Sequence, residues 1–68
     1  METFANRIRE LREEKGISQT QLSQAMGLNS RTISNYERGL REPDFKTLKK
    51  LCDYFKVTAG YLIGFEEY

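Results

Sequence analysis

Residues 19–38 read QTQLSQAMGLNSRTISNYER, and the parsing of this stretch decides the fold. Two short helices joined by a tight turn account for it. Gly27 sits where the first helix must stop, because a glycine enters the left-handed conformation after a helix at little steric cost. Asn29 then offers a side-chain oxygen to cap the next helix start, with Ser30 as a second candidate. Leu22 and Met26 are four apart on one helix, and Ile33 and Tyr36 are three apart on the next, so both pairs can face one core. Leu28, just before the cap, is placed to pack on Ile33 as a hydrophobic staple.

The other face of the second helix carries the chemistry. At about 100° per residue from Ile33, Tyr36 and Glu37 fall close to the buried side. Arg31, Asn35 and Arg38 cluster nearly opposite, flanked by Ser34 and Thr32. That face has two arginines, an amide and two hydroxyls, and no acid. Arginine suits paired bonds to guanine, asparagine suits adenine, and hydroxyls suit phosphates or base edges. On an isolated helix these residues would simply be solvated. After a helix and a tight turn they form the outer face of a helix-turn-helix, whose second helix enters the major groove of DNA.

Gln19, Leu22, Met26, Gly27, Leu28, Ile33, Tyr36, Glu37 and Gly39, with Pro43, Leu48, Leu51 and the ending VTAGYLIG, resemble a Cro/C1-type helix-turn-helix domain. This is the family of phage repressors and xenobiotic-response-element-like bacterial regulators. The resemblance runs from about Phe4 to Gly64. It departs at Ser23, where the family most often has alanine; serine is still small enough for close helix approach. The resemblance implies an all-α, compact five-helix, lambda-repressor-like DNA-binding domain with the helix-turn-helix at helices 2 and 3. It also implies that Gln19 bonds the DNA backbone and helps orient a residue of the recognition helix. Arg12 is expected to pair with Glu37, and the region of Arg38 and Arg41 to lie against phosphates.

Working outward, residues 3–15 form the first helix, with Phe4, Ile8 and Leu11 at i, i+4 and i+7, Thr3 as its cap and Gly16 as its stop. Ser18 and Gln21 have the spacing of a capping box, and Ile17 with Leu22 that of a staple, so helix 2 covers 18–26. The free N–H groups at such a start can hold a phosphate. The recognition helix, 30–38, ends at Gly39. Pro43 and Asp44 then start the fourth helix, 45–55, with Phe45, Leu48, Leu51, Cys52 and Phe55 as its apolar stripe. Lys46, in its first turn, is within reach of DNA; Lys49 and Lys50 are expected to be solvated. Val57, Thr58 and Leu62 repeat the staple and cap for a fifth helix, 59–63. Tyr61, Leu62, Ile63 and Phe65 form an apolar cluster larger than closing the core requires. The excess is expected to be a homodimer contact through Tyr61, Leu62 and Phe65.

A chain of 68 residues corresponds to one domain, 1–68, near the lower limit for a self-sufficient core. Cys52 is the single cysteine, so helical packing rather than disulfides must carry stability. The lone thiol and the absence of an export signal point to the cytoplasm. No apolar run approaches the roughly 20 residues that span a bilayer. The net charge of +1 says little as a sum. Its distribution says more: acids gather at Glu10, Glu13 and Glu14 and at Glu66 and Glu67, bases at Arg31, Arg38, Arg41 and Lys46. With no histidine, no metal-ligand cluster and no glycine-rich phosphate loop, neither an enzyme nor a cofactor or metal protein is expected.

The expected function is a sequence-specific, double-stranded-DNA-binding transcriptional regulator, with repression as the expected direction. It would act as a dimer on a palindromic operator with half-sites near 34 Å apart. Ser30, Arg31, Ser34 and Asn35 are the expected base contacts, and Gln19, Asn29, Thr32, Arg38, Arg41 and Lys46 the expected backbone contacts. The alternative is a protein-interaction module on the same fold, an antitoxin or an adaptor, using the C-terminal cluster.

Overall fold

A computed structural model describes residues 2–67. It contains α1 (Glu2–Glu14), α2 (Gln19–Met26), α3 (Ser30–Glu37), α4 (Phe45–Phe55) and α5 (Ala59–Ile63), with no strand among the described residues. Each helix sends residues into one core: Phe4 and Ile8 from α1, Leu22 and Met26 from α2, Ile33 and Tyr36 from α3, Leu51 from α4 and Leu62 from α5. The Phe4 ring meets the Tyr36 ring edge-on, 5.5 Å between centroids, a favoured aromatic geometry.

Helix ends fix how α2 and α3 cross. Ser18 Oγ accepts from the Gln21 N–H at 3.0 Å, while Gln21 Oε1 accepts from the Ser18 N–H at 2.8 Å, a complete capping box. At the other end Gly27 is left-handed, with φ 71°. The Leu28 N–H donates to Ser23 O at 2.8 Å and the Gly27 N–H to Gln24 O at 3.2 Å, the paired bonds of a Schellman turn. The turn delivers Asn29 in extended conformation, and Asn29 Oδ1 accepts from the Thr32 N–H at 2.9 Å to start α3. Ser23 is buried, and its hydroxyl donates to Thr20 O at 2.7 Å, so the small residue leaves no orphaned polar atom.

Four expectations need correction. α1 already begins at Glu2, so Thr3 lies in its first turn and is not the cap. Phe45 is 89% exposed and does not belong to the stripe of α4. It is six residues from Leu51, about 120° around the helix from the buried direction. Leu62 is fully buried in the core of its own chain and so cannot supply a dimer contact. Lys50 is not simply solvated: its Nζ donates to Met26 O at 3.4 Å, over the C-terminus of α2.

A clamp absent from the sequence reading holds the C-terminal segment. The Arg7 guanidinium donates to the carbonyls of Tyr61 and, at 2.7 Å, Glu66, and lies 4.3 Å from the centre of the Tyr61 ring.

Candidate nucleic-acid interface

α3 buries Thr32, Ile33, Tyr36 and Glu37. The same 100° rotation that buries them turns Ser30, Arg31 and Arg38 into solvent and leaves Ser34 and Asn35 half-buried at the edge. With the start of α2, these side chains line an open hollow of about 470 Å³: Gln19, Thr20, Ser30, Arg31, Ser34, Asn35 and Arg38. Six of the seven are expected site residues, and no acid is among them. Thr20 was missed. It is the second residue of α2, beside Gln19, and its position in the first turn was the available signal.

The inner side of α3 is anchored by a buried ion pair. Arg12 Nε donates to Glu37 Oε2 at 2.6 Å and Arg12 Nη2 to Glu37 Oε1 at 3.0 Å, with side-chain exposures of 13% and 3%. Arg12 Nη1 also donates to Ile17 O at 2.8 Å. The bond to Glu37 is the main reason the Arg12 guanidinium titrates above its ordinary value, with burial opposing it. Gln19 Nε2 makes a further bond to Glu37 Oε1, at 3.1 Å. One carboxylate therefore ties together α1, the start of α2 and the end of α3. Such a pair contributes little net stability against its desolvation, but removing one partner strands a buried charge.

In contrast to that inner network, no hydrogen bond or ion pair within the described residues engages the side chains of Ser30, Arg31, Ser34, Asn35 or Arg38. Their donors and acceptors remain open to a ligand. Their helix is fixed by the core and the Arg12–Glu37 pair, so the array is preorganised, which reduces what binding must order.

The remaining expected contacts lie outside the hollow. Asn29 is exposed at the start of α3; its Oδ1 is taken by the Thr32 N–H and, at 3.1 Å, the Thr32 hydroxyl, which leaves its amino group free. Arg41, in the loop after α3, and Lys46, in the first turn of α4, are exposed. Thr32 is a correction: it is buried, and its hydroxyl is committed to Asn29, so it does not flank the outer face. Among the described residues no group could hold a metal ion. Among the described residues no helix is long and apolar enough to cross a membrane.

Comparison with known proteins gives the same picture. A family model described as Helix-turn-helix matches residues 8–62. The chain is 34% identical over 65 residues to the HTH-type transcriptional regulator ImmR of Bacillus subtilis, covering 96% of this chain and 51% of ImmR. It is 30% identical over 64 residues to the cryptic phage CTXphi transcriptional repressor RstR of Vibrio cholerae, covering 94% of this chain and 58% of RstR. The chain thus spans little more than half the length of these relatives. Among solved structures, the P22 c2 repressor in complex with synthetic operator 9T superposes with a TM-score of 0.89 at 27% identity, covering 97% of this chain and all of that one. Its matched stretch, its helical order and its buried Arg12–Glu37 anchor agree: the chain belongs to the Cro/C1-type helix-turn-helix family.

Proposed function

We propose that this chain is the DNA-binding part of a transcriptional regulator, of repressor type, that reads the major groove with α3. One observation carries the reading. Ser30, Arg31, Ser34, Asn35 and Arg38 converge on one acid-free hollow with their hydrogen-bonding groups uncommitted. Arg31 has the fork to pair with guanine O6 and N7, and Asn35 the amide to pair with adenine N6 and N7. Ser30 and Ser34 supplement them at base edges. The main-chain N–H groups at the start of α2, the Asn29 amino group, Arg38, Arg41 and Lys46 fix register on phosphates. The relatives' names and the operator-bound P22 c2 repressor support this reading.

Two copies acting together would read half-sites about 34 Å apart in a palindrome. Tyr61 and the exposed Phe65 are the proposed contact between copies, beside a second hollow of about 610 Å³ along Leu11, Val57 and Tyr61. A cytoplasmic location accords with a DNA target and with the unpaired Cys52, whose thiol burial pushes above its ordinary pKa and away from reactivity.

The test is selection of preferred sites from random duplex DNA, followed by titration at several salt concentrations. The expected result is a palindromic site whose log affinity falls steeply with log salt. Absence of any enriched sequence, together with salt-independent binding, would overturn the proposal.

A further inference from the structure

Phe65 is 85% exposed, yet the backbone that carries it is pinned on both sides. The N–H groups of Phe65 and Glu66 both donate to Gly60 O, at 2.7 and 3.1 Å. The Arg7 guanidinium donates to Glu66 O at 2.7 Å, and the Thr58 hydroxyl donates to Glu66 Oε1 at 2.7 Å. Glu66 lies so close over Gly60 that a Cβ there would fall 2.8 Å from its carboxyl carbon. The segment is thus latched to α1 and α5, and its aromatic ring is held out in water. Beside it lies the second hollow, of about 610 Å³, whose lining includes Leu11, Val57 and Tyr61. Leu11 and Val57 pack on the core and stay half-exposed, so the hollow has an apolar floor. Lys56 and Glu67 also line it, and neither makes an ion pair among the described residues. Glu67 is two residues beyond Phe65, which puts Phe65 within about 7 Å of chain from the lining.

Resting on the proposed pairing of two copies, we propose that Phe65 of each copy fills the second hollow of the other, so that neither hollow is complete without its partner. A projecting ring and a hollow side by side on one chain satisfy each other when a second copy is turned by half a turn, and such a contact closes on itself as a dimer. The charges agree with this occupant. As Phe65 enters, Glu67 of the same segment arrives at the rim where the partner's Lys56 stands. The latch matters because an aromatic anchor held in place loses little freedom on docking. Two rings and the walls they cover fall short of the roughly 1,200 Å² of a stable interface. The pairing is therefore weak in free solution and becomes effective when a palindrome holds the copies side by side.

The experiment uses the full chain, alone and on the selected duplex. Sedimentation equilibrium over rising concentration should show monomers in exchange with dimers. In a mixture of isotope-labelled and unlabelled chains, the Phe65 ring should give intermolecular nuclear Overhauser contacts to the Leu11 and Val57 methyls. Phe65→Ala should weaken the pairing by about tenfold or more and leave the urea midpoint where it was, since the ring is exposed. Lys56→Glu and Glu67→Lys should each weaken pairing by about twofold to fivefold and restore it when combined. On the palindrome, Phe65→Ala should abolish cooperativity between half-sites and keep the affinity for an isolated half-site. Pairing or cooperativity that survives Phe65→Ala would overturn the proposal, as would dimers whose Phe65 ring contacts other residues. A wild type that stays monomeric and fills the two half-sites independently would overturn it too, leaving the hollow to a partner of another kind. Sedimentation and the ring contacts need no DNA, and half-site affinity needs no pairing, so failure of this contact and failure of the DNA reading are told apart.

Discussion

α3 and α4 are both amphipathic, both capped at their start, and both carry basic residues, yet two of the three lysines of α4, all but Lys46, are engaged within the chain while Arg31 of α3 is not. α4 has three lysines in its eleven residues, more than α3 has arginines within its eight. Lys49 is paired with Asp53 at 2.9 Å, and Lys50 reaches the last carbonyl of α2. On α3 the side chains of Arg31 and Asn35 make no hydrogen bond or ion pair among the described residues, while the inward Glu37 is held by three donors. The number of charges therefore does not mark the site. Uncommitted hydrogen-bonding groups on an element clamped from behind do.

The largest effect that sharpens this contrast is on the clamp. Glu37→Ala should cost about 3–5 kcal/mol in urea unfolding, because it leaves the largely buried Arg12 guanidinium without its counter-charge, with only the Ile17 carbonyl as a partner. That is much of the stability of a small domain. Lys49→Ala removes an ion pair too, but an exposed one, and should leave the unfolding curve where it was. Similar costs for the two would erase the distinction between α3 and α4. Next in size, Arg31→Ala should lose about 1–3 kcal/mol on the selected site and relax preference at one base pair, with unchanged folding. Lys46→Ala should instead weaken all sequences alike. An equal loss on random DNA from Arg31→Ala would place that residue on phosphate.

The contrast also explains what was legible in the sequence. Gly27, Asn29, Ser18 and Gln21 announce helix ends through local bonds, and those ends fall where their chemistry dictates. Arg31 and Asn35 were legible as outward residues because Ile33 and Tyr36 fix the rotation of a short helix from both sides. Thr32 lies on the border of that rotation, where the angle alone could not tell whether the nearby cap would take its hydroxyl. Phe45 was misread because apolar spacing is blind to where a helix starts: the stripe continues on paper past the last residue that has a neighbour to pack on. Leu62 could not be divided between core and partner, since both want an apolar side chain. The Gln19–Glu37 bond and the Arg7 clamp on the C-terminal segment join elements far apart in the chain. No periodicity within one helix encodes them.

Smaller effects separate the two helices at their ends. α3 is followed by Gly39 at φ 74°, and the Leu40 N–H donates to Asn35 O at 2.9 Å. α4 ends on Lys56, at φ 57° the one positive-φ residue among those described that is not glycine. A side chain there crowds the following carbonyl. Lys56→Gly should therefore raise stability by about 0.5–1 kcal/mol, read as a higher urea midpoint at constant slope. The same measurement on Gly39→Ala should move the midpoint down. A loss from Lys56→Gly would mean that chain entropy outweighs the strain.

At their starts the helices differ in what acid can do. Asn29 caps α3 with an amide that does not titrate. Asp44 caps α4 with a carboxylate held below its ordinary pKa, first because the Thr47 backbone N–H donates to its Oδ1 at 2.8 Å. A carboxylate whose pKa is depressed on folding contributes stability above its unfolded value, and that contribution disappears as pH falls through the folded value. Acidification to roughly pH 4 and below should thus weaken the start of α4 and spare the start of α3. Amide exchange is the measurement: protection of the Thr47 N–H should decline in acid ahead of that of the Thr32 N–H. Asp44→Asn should remove the difference, because an amide keeps the cap at every pH. If both amides lose protection together in the wild type, acid is unfolding the whole domain through other carboxylates, and the two caps are not separable in this way.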